Sequence, residues 1–325
     1  MTIILNKRIL ITGGFGFIGS HLVESLIKNN TICIIDNEYR GSNSSYLKKQ
    51  FPDDFKKIKY YKLDITDQKK LKSAIKSFKP EIIFHLAGIA GVSTVMKNPM
   101  KVIDVNLIGS YNLAKSVSDI PSVKKIIYTS TSEVYGNLAF QLSEDDYTTQ
   151  GSPYDQRWSY ATSKLFAEHI FVALEKESGI KVAIPRLFNI YGPRQIGSGA
   201  IHEFIKNSIN NKALTLYNDG SQIRAWCYID DCIKALHLIT KKGNGIFNIG
   251  NPYESLSTTS LANLILDITK SKSKLIFKKL NTTDIRLRVP NIEKLSKLGY
   301  HPKFPIRMGL TNTFEWYSNS LKINP

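Results

Sequence analysis

The sequence predicts an α/β protein built around a doubly wound, mostly parallel sheet, with a smaller α/β part behind it. Three observations carry that expectation. Apolar, β-rich runs alternate with amphipathic helical stretches through the first half, a glycine-rich turn joins the first run to the first helix, and the regular alternation loosens after Tyr191. Apolar runs with no polar face belong to strands covered by helices on both sides, as in parallel sheets.

The elements follow in order. Strands are expected at Arg8–Thr12 (RILIT), Thr31–Asp36 (TICIID), 59–63 (KYYKL), 81–86 (EIIFHL), 125–129 (KIIYT) and 181–186. Helices are expected at 21–28, 69–78, 102–116 and 159–176, the last closed by Gly179. Residues 192–199 (GPRQIGSG) read as a loop by their turn residues. A strand at 247–250, a helix at 259–269 and a stretch at 293–319, helical at each end around a proline-containing middle, complete the chain. No repeat or low-complexity linker interrupts it. Residues 1–185, which include the 159–176 helix, and residues 186–325 are therefore expected to pack as one body around a cleft, with part of the chain crossing between them.

Composition narrows the partners. The 325 residues are 42% hydrophobic, enough for a large core, and no apolar run approaches the ~20 residues that span a bilayer. The first ten residues lead too quickly into the glycine turn to form a signal peptide, so a cytoplasmic protein without a membrane partner is expected. Cys33, Cys227 and Cys232 lack CxxC spacing and a neighbouring histidine cluster, which favours buried free thiols over a metal site. The net charge is +17, but the basic residues are mostly scattered lysines with no dense block. That pattern fits solvated faces with a mild attraction for phosphate-bearing small molecules, and nucleic acid is not expected.

The glycine turn reads Thr12-Gly13-Gly14-Phe15-Gly16-Phe17-Ile18-Gly19. Gly13, Gly16 and Gly19 stand where a tight turn, a close approach to a pyrophosphate and close helix–strand packing need the absence of a side chain. The N–H groups at the start of the helix that follows then face the phosphates, and Phe17 and Ile18, between the glycines, are expected to contact the cofactor. Asp36, followed by Asn37, ends the second strand, where a carboxylate accepts hydrogen bonds from the ribose hydroxyls of NAD and repels the 2′-phosphate of NADP. Arg40 stands against that selectivity, because a nearby arginine can hold such a phosphate.

Tyr160-Ala161-Thr162-Ser163-Lys164 puts Tyr160 and Lys164 on one face of a helix. A nearby ammonium and a positive nicotinamide both favour the phenolate, so Tyr160 is expected to serve as a base near neutral pH, with Lys164 also holding the nicotinamide ribose. Thr131, Ser132 and Glu133 follow the fifth strand, at the carboxyl end of the sheet where such folds bind ligands.

These motifs, together with LDITD at 63–67, HLAG at 85–88, VNLIG at 105–109, STSEVYG at 130–136, RLFNIYGPRQ at 186–195, QIRAWCYIDD at 222–231, FNIGNP at 247–252 and a late arginine before VPNIEK, resemble the extended short-chain dehydrogenase/reductases over nearly the full length. That family comprises NAD-dependent nucleotide-sugar epimerases, dehydratases and decarboxylases on a Rossmann-type fold, and its members are commonly homodimers. The resemblance implies transient oxidation of a sugar at carbon 4, with Tyr160 as base and Thr131 sharing the hydroxyl proton. It implies that Asp64 and Ile65 flank the adenine, that Leu86, Ala87, Gly88 and Asn106 line the cofactor, and that Asn189, Arg224 and Arg288 hold the diphosphate or base of the nucleotide sugar.

Two residues bear on the chemistry. Glu133 resembles the acid carried by members that labilise the bond at carbon 5, and the Thr-Ser-Glu triplet is similar to that of UDP-glucuronate decarboxylases and of GDP-mannose-type dehydratases. Glucose-type 4,6-dehydratases show an Asp in place of Ser132, and serine is a poor proton donor for a leaving hydroxyl. Arg157 also resembles the decarboxylases. Its fork of donors suits a substrate carboxylate, or equally a tie to Glu133 or to a neighbouring loop. The expected reaction is decarboxylation of a UDP-glucuronate-like substrate, with 4-epimerisation or 4,6-dehydration as alternatives and a non-catalytic dinucleotide-binding protein as a remote one. His21 and His85 read as packing residues.

Overall fold

The computed structural model describes residues 4–197 and 199–323. Its centre is a parallel sheet of β1 (Arg8–Thr12), β2 (Thr31–Asp36), β3 (Lys59–Lys62), β4 (Ile82–His85), β5 (Lys125–Tyr128) and the strands Lys181–Leu187 and Gly245–Ile249. Going across the sheet, the order is Gly245–Ile249, Lys181–Leu187, β5, β4, β1, β2, β3. The order reverses between β1 and β4, and a cleft opens there at the carboxyl ends of the strands.

Successive residues of each strand feed opposite cores. Ile9, Ile11, Ile34 and Phe84 belong to one apolar cluster, with Leu22, Val23 and Leu26 of the Phe17–Leu26 helix. Leu10, Cys33, Ile83 and Tyr128 belong to the other, with Leu71 and Ile75 of the Gln68–Phe78 helix and Phe171 of the Trp158–Ser178 helix. Continuous burial on both faces is why these strands read as unbroken apolar runs. Only β3, at the sheet edge, has a largely exposed pattern. Cys33, Cys227 and Cys232 are buried free thiols.

Three readings shift. The first helix begins at Phe17 rather than at residue 21, directly off the glycine turn. The 102–116 helix is instead Pro99–Ile103, a π-helical turn Asp104–Ile108 and Gly109–Val117. Apolar spacing does not distinguish a π turn, which often marks a functional position inside a helix. Residues 293–319 keep the expected pattern, a short helix Glu293–Ser296 and a long one Ile306–Ile323 on either side of Pro302 and Pro305. Finally, the 185/186 boundary falls inside the Lys181–Leu187 strand, and the chain crosses it in both directions. Leu138–Leu142 pairs with Leu287–Pro290 in a second sheet with Ile223–Ala225 and Ser255–Ser257, while Gly245–Ile249 returns to the central sheet. The predicted loop at 192–199 lacks regular structure over its described residues, Ser198 lying outside them, and no helix among the described residues is long and apolar enough to cross a membrane.

Candidate active site and cofactor cleft

The glycine turn forms one wall of the cleft. Gly13 has a φ of +72°, and its N–H donates to the Ile35 carbonyl at 2.8 Å. A Cβ at Gly13 would lie 2.8 Å from the Ala87 backbone nitrogen, and one at Gly19 would overlap the Gly13 carbonyl. Both positions must stay bare for the turn and the helix to meet. Gly16, Phe17 and Ile18 line the cleft beside them.

Asp36 closes the far end of β2. Its carboxylate accepts the Phe15 N–H at 3.0 Å and the Glu38 N–H at 2.8 Å, so it tightens the turn as well as facing the cleft. Burial raises its pKa above the ordinary value, against the pull of those N–H groups. Next to it, Asn37 donates to Asp64 at 3.0 Å, and Lys101 pairs with Asp64 at 3.4 Å. Burial pushes the Asp64 pKa up, but the Thr66 hydrogen bonds and Lys101 outweigh it and hold the carboxyl below its usual range. Ile65 lies beside Asp64 in the lining.

Leu86, Ala87 and Gly88 form the β4 end of the cleft. The π turn explains how Asn106 reaches them. Its amide accepts the Ile89 N–H at 2.8 Å and donates to the Ile89 carbonyl at 2.9 Å, clamping the loop. His85, beneath, bridges Thr12 at 2.7 Å and Ser110 at 3.0 Å, and burial drives its pKa to about 3, which makes it a neutral packing residue. His21 contacts the Pro193 carbonyl at 2.9 Å, and its pKa also falls to about 3 through burial. A bare turn, a cleft-facing carboxylate at the end of the second strand and a clamped loop along one cleft fit a dinucleotide.

Tyr160 and Lys164 lie at the start of the Trp158–Ser178 helix and face the same cleft. Thr131 stands beside Tyr160 and pulls its pKa down, and it caps the Ser132–Tyr135 turn by accepting the Glu133 N–H at 3.2 Å. Ser132 is buried within that turn. The expectation of an easily ionised phenol is corrected for the protein by itself: burial, then Glu133, raises the Tyr160 pKa to about 12. Lys164, which sits 4.4 Å over the Tyr128 ring, is lowered to about 7 by burial, against the pull of Glu168. Desolvation outweighs the mutual attraction that the spacing suggests.

Three arginines surround Glu133. Arg288 approaches it at 3.3 Å and Arg157 at 3.6 Å, and Arg224 is paired with Arg288 across neighbouring strands. Burial pushes the Glu133 pKa up, but Arg288, Arg157 and Arg224 outweigh it and hold the carboxyl below its usual range. Arg224 itself falls to about 9 through burial and its two arginine neighbours. Among the described residues, the buried Nε atoms of Arg157 and Arg288 have no partner. The tie between Arg157 and Glu133 is therefore real, and it leaves donors over. Asn189 stands apart, with a φ of +41° and its amide donating to the Ala225 carbonyl at 3.0 Å.

Sequence reasoning missed Lys101, Gln195 and Ile196, all in the cleft lining. Nothing in their local pattern announces them, because each arrives from an element distant in sequence.

Residues 9–250 match the model of the NAD dependent epimerase/dehydratase family. The chain is 35% identical to a UDP-N-acetyl-alpha-D-glucosaminuronate decarboxylase of Bacillus cytotoxicus, over 96% of this chain and 98% of that one. It is 34% identical to UDP-glucuronic acid decarboxylase 6 of Arabidopsis thaliana, over 94% and 87%. It also resembles the solved structure of UDP-glucuronic acid 4-epimerase from Bacillus cereus in complex with UDP-glucuronic acid and NAD, with a TM-score of 0.87 and 28% identity over 96% of this chain and 99% of that one.

Proposed function

Because the chain belongs to the NAD dependent epimerase/dehydratase family, we propose that it decarboxylates a UDP-uronate through transient oxidation at sugar carbon 4. NAD is the cofactor and, when bound, would supply the hydride acceptor and donor for that carbon. The observation that carries the choice of substrate is the excess of arginine around Glu133: Arg157, Arg224 and Arg288 face one carboxylate, and two buried Nε donors have no partner among the described residues. Buried cations in excess call for anions. A nucleotide sugar supplies a diphosphate, and a uronate adds a carboxylate.

In this reading, Gly13, Gly16 and Gly19 admit the cofactor diphosphate, Asp36 accepts the adenosine ribose hydroxyls and Lys164 holds the nicotinamide ribose. Tyr160 takes the proton from the sugar 4-hydroxyl, and Thr131, beside it, relays and orients that proton. The carboxyl on carbon 5 is β to the resulting ketone. Its loss leaves an enolate that the Thr131 and Tyr160 hydroxyls stabilise. Glu133, kept ionised by its arginines, positions water or moves a proton at carbon 5. Arg157 holds the departing carboxylate, Asn189 the nucleotide, and Arg224 and Arg288 the diphosphate.

The same reading takes the protein as a cytoplasmic homodimer of two interleaved parts, roughly 1–185 and 186–325. Exposed Met100, Ile108, Tyr111, Phe166 and Val172, on neighbouring helices, support the pairing face. Buried free thiols suit a reducing compartment.

Incubation with UDP-, dTDP-, GDP- and CDP-sugars, read by mass, tests the proposal. Loss of carbon dioxide from a UDP-uronate is expected, whereas loss of water or an unchanged mass selects dehydration or epimerisation. Glu133→Gln is expected to stall after oxidation and accumulate reduced nicotinamide, and Arg157→Ala to impair acidic sugars selectively. A neutral UDP-hexose epimerised at carbon 4 regardless of both substitutions would overturn the reading.

A further inference from the structure

Among the described residues, Arg40 is a cation in the cofactor cleft without a matching anion. It lines the cleft on the loop after β2, and its one hydrogen bond to those residues runs from Nη2 to the Ile196 carbonyl at 3.4 Å, near the limit for such a bond. Among the described residues it has no carboxylate at ion-pair distance. A guanidinium has five N–H donors, and withdrawing it from water without an anion is unfavourable. Burial accordingly lowers the pKa of Arg40 below its ordinary value.

The surroundings hold this side chain in place. Three residues on, Asn43 donates its backbone N–H to the Phe15 carbonyl at 2.9 Å and its side-chain amide to the Arg194 carbonyl at 3.2 Å. The Arg40 loop is thereby fastened both to the glycine turn and to the segment that closes the cleft. Gly197, with a φ of +90°, clears the space: a Cβ there would lie 2.5 Å from Arg40 Nη2.

We propose that Arg40 binds the diphosphate of NAD, across the cleft from the Gly13–Gly19 turn, and couples that contact to the 194–197 segment through Ile196. The direction of the side chain separates this role from recognition of a 2′-phosphate. Asp36 is only four residues away, yet its carboxylate is held by the Phe15 and Glu38 N–H groups, while the Arg40 tip turns to the Ile196 carbonyl and packs beside Gly197. Arg40 shares its cleft with the Gly13–Gly19 turn and with Tyr160, along which a diphosphate would run.

The test is equilibrium binding by calorimetry of NAD, ADP-ribose, adenosine and NADP to the unmodified protein, Arg40→Ala and Arg40→Lys. Arg40→Ala is expected to weaken NAD and ADP-ribose by a common factor on the order of tenfold, to leave adenosine unchanged, and to affect NADP no more than NAD. Arg40→Lys, which keeps the charge without the fork, is expected to recover most of that loss. The melting temperature of the cofactor-free Arg40→Ala protein is expected to hold or rise, since a partly desolvated cation is removed. Unchanged NAD and ADP-ribose binding would overturn the proposal. So would an equal loss for adenosine, which would mean an effect on the fold or the adenine end, or a loss confined to NADP, which would assign Arg40 to the 2′-phosphate.

Discussion

Glu168 and Arg186 form a doubly bonded ion pair beneath the catalytic helix. Arg186 Nε donates to Oε1 at 3.1 Å and Nη2 to Oε2 at 2.8 Å, and each side chain is 4% exposed. Glu168 lies one turn beyond Lys164 on the helix and also accepts the Ser130 hydroxyl. Arg186 extends the network to Tyr135 at 2.8 Å. A single carboxylate thereby ties the helix of Tyr160 and Lys164 to the Ser130–Thr131 strand, and its charge opposes the loss of the Lys164 proton.

Glu168→Ala strands a buried guanidinium, and breaking such a pair costs about 3–5 kcal/mol. A large fall in melting temperature is expected. Replacing both partners, as Glu168→Leu with Arg186→Met, is expected to restore much of it, because the desolvation penalty disappears with both charges. A single variant as stable as the unmodified protein would show that the pair contributes nothing.

Lys164 has a folded pKa of about 7, against 10.5 when unperturbed. Between those values the unfolded chain binds more protons, so this residue makes stability rise with pH from about 7 to 10.5. Lys164→Met removes a penalty that is full below the folded pKa and fades toward the unfolded one. Without NAD, the variant is expected to gain on the order of 2–4 kcal/mol at pH 6, and less at pH 9. Thermal melts at the two pH values measure the difference, and a gain that grows with pH would reverse the assignment.

Tyr160 is raised to about 12 in the protein alone, chiefly by burial. A difference titration of the phenol absorbance between the unmodified protein and Tyr160→Phe is expected to show no ionisation of this group at pH 10. Saturation with NAD is expected to move the transition down, because a positive ring beside the phenol favours its anion. Turnover in Tyr160→Phe is expected to fall 10²–10⁴-fold while sugar-nucleotide binding persists.

Asp36 holds the Phe15 N–H and, in the proposed reading, the adenosine ribose, so Asp36→Ala is expected to weaken NAD through lost ribose contacts and through a loosened Phe15 N–H. NADP is expected to lose less, since the repulsion of its 2′-phosphate goes too. Tighter binding of NADP than NAD by the unmodified protein would contradict this role.

The sequence by itself determined the cofactor half of this protein. Gly13, Gly19 and Asp36 act within one strand–turn–helix–strand unit, where the backbone allows few solutions, and Tyr160 and Lys164 share a face because a helix repeats at fixed spacing. Only the tertiary structure decided the rest. The π turn that delivers Asn106 leaves the apolar spacing of its helix intact. The Leu138–Leu142 strand gains meaning only beside Leu287–Pro290, and that crossing brings Arg288 onto Glu133. Charge obeys the same division. Tyr160 and Lys164 look mutually activating as a spacing, but a pKa depends on how much water the fold removes, and desolvation is a property of every element packed around the pair rather than of the pair itself.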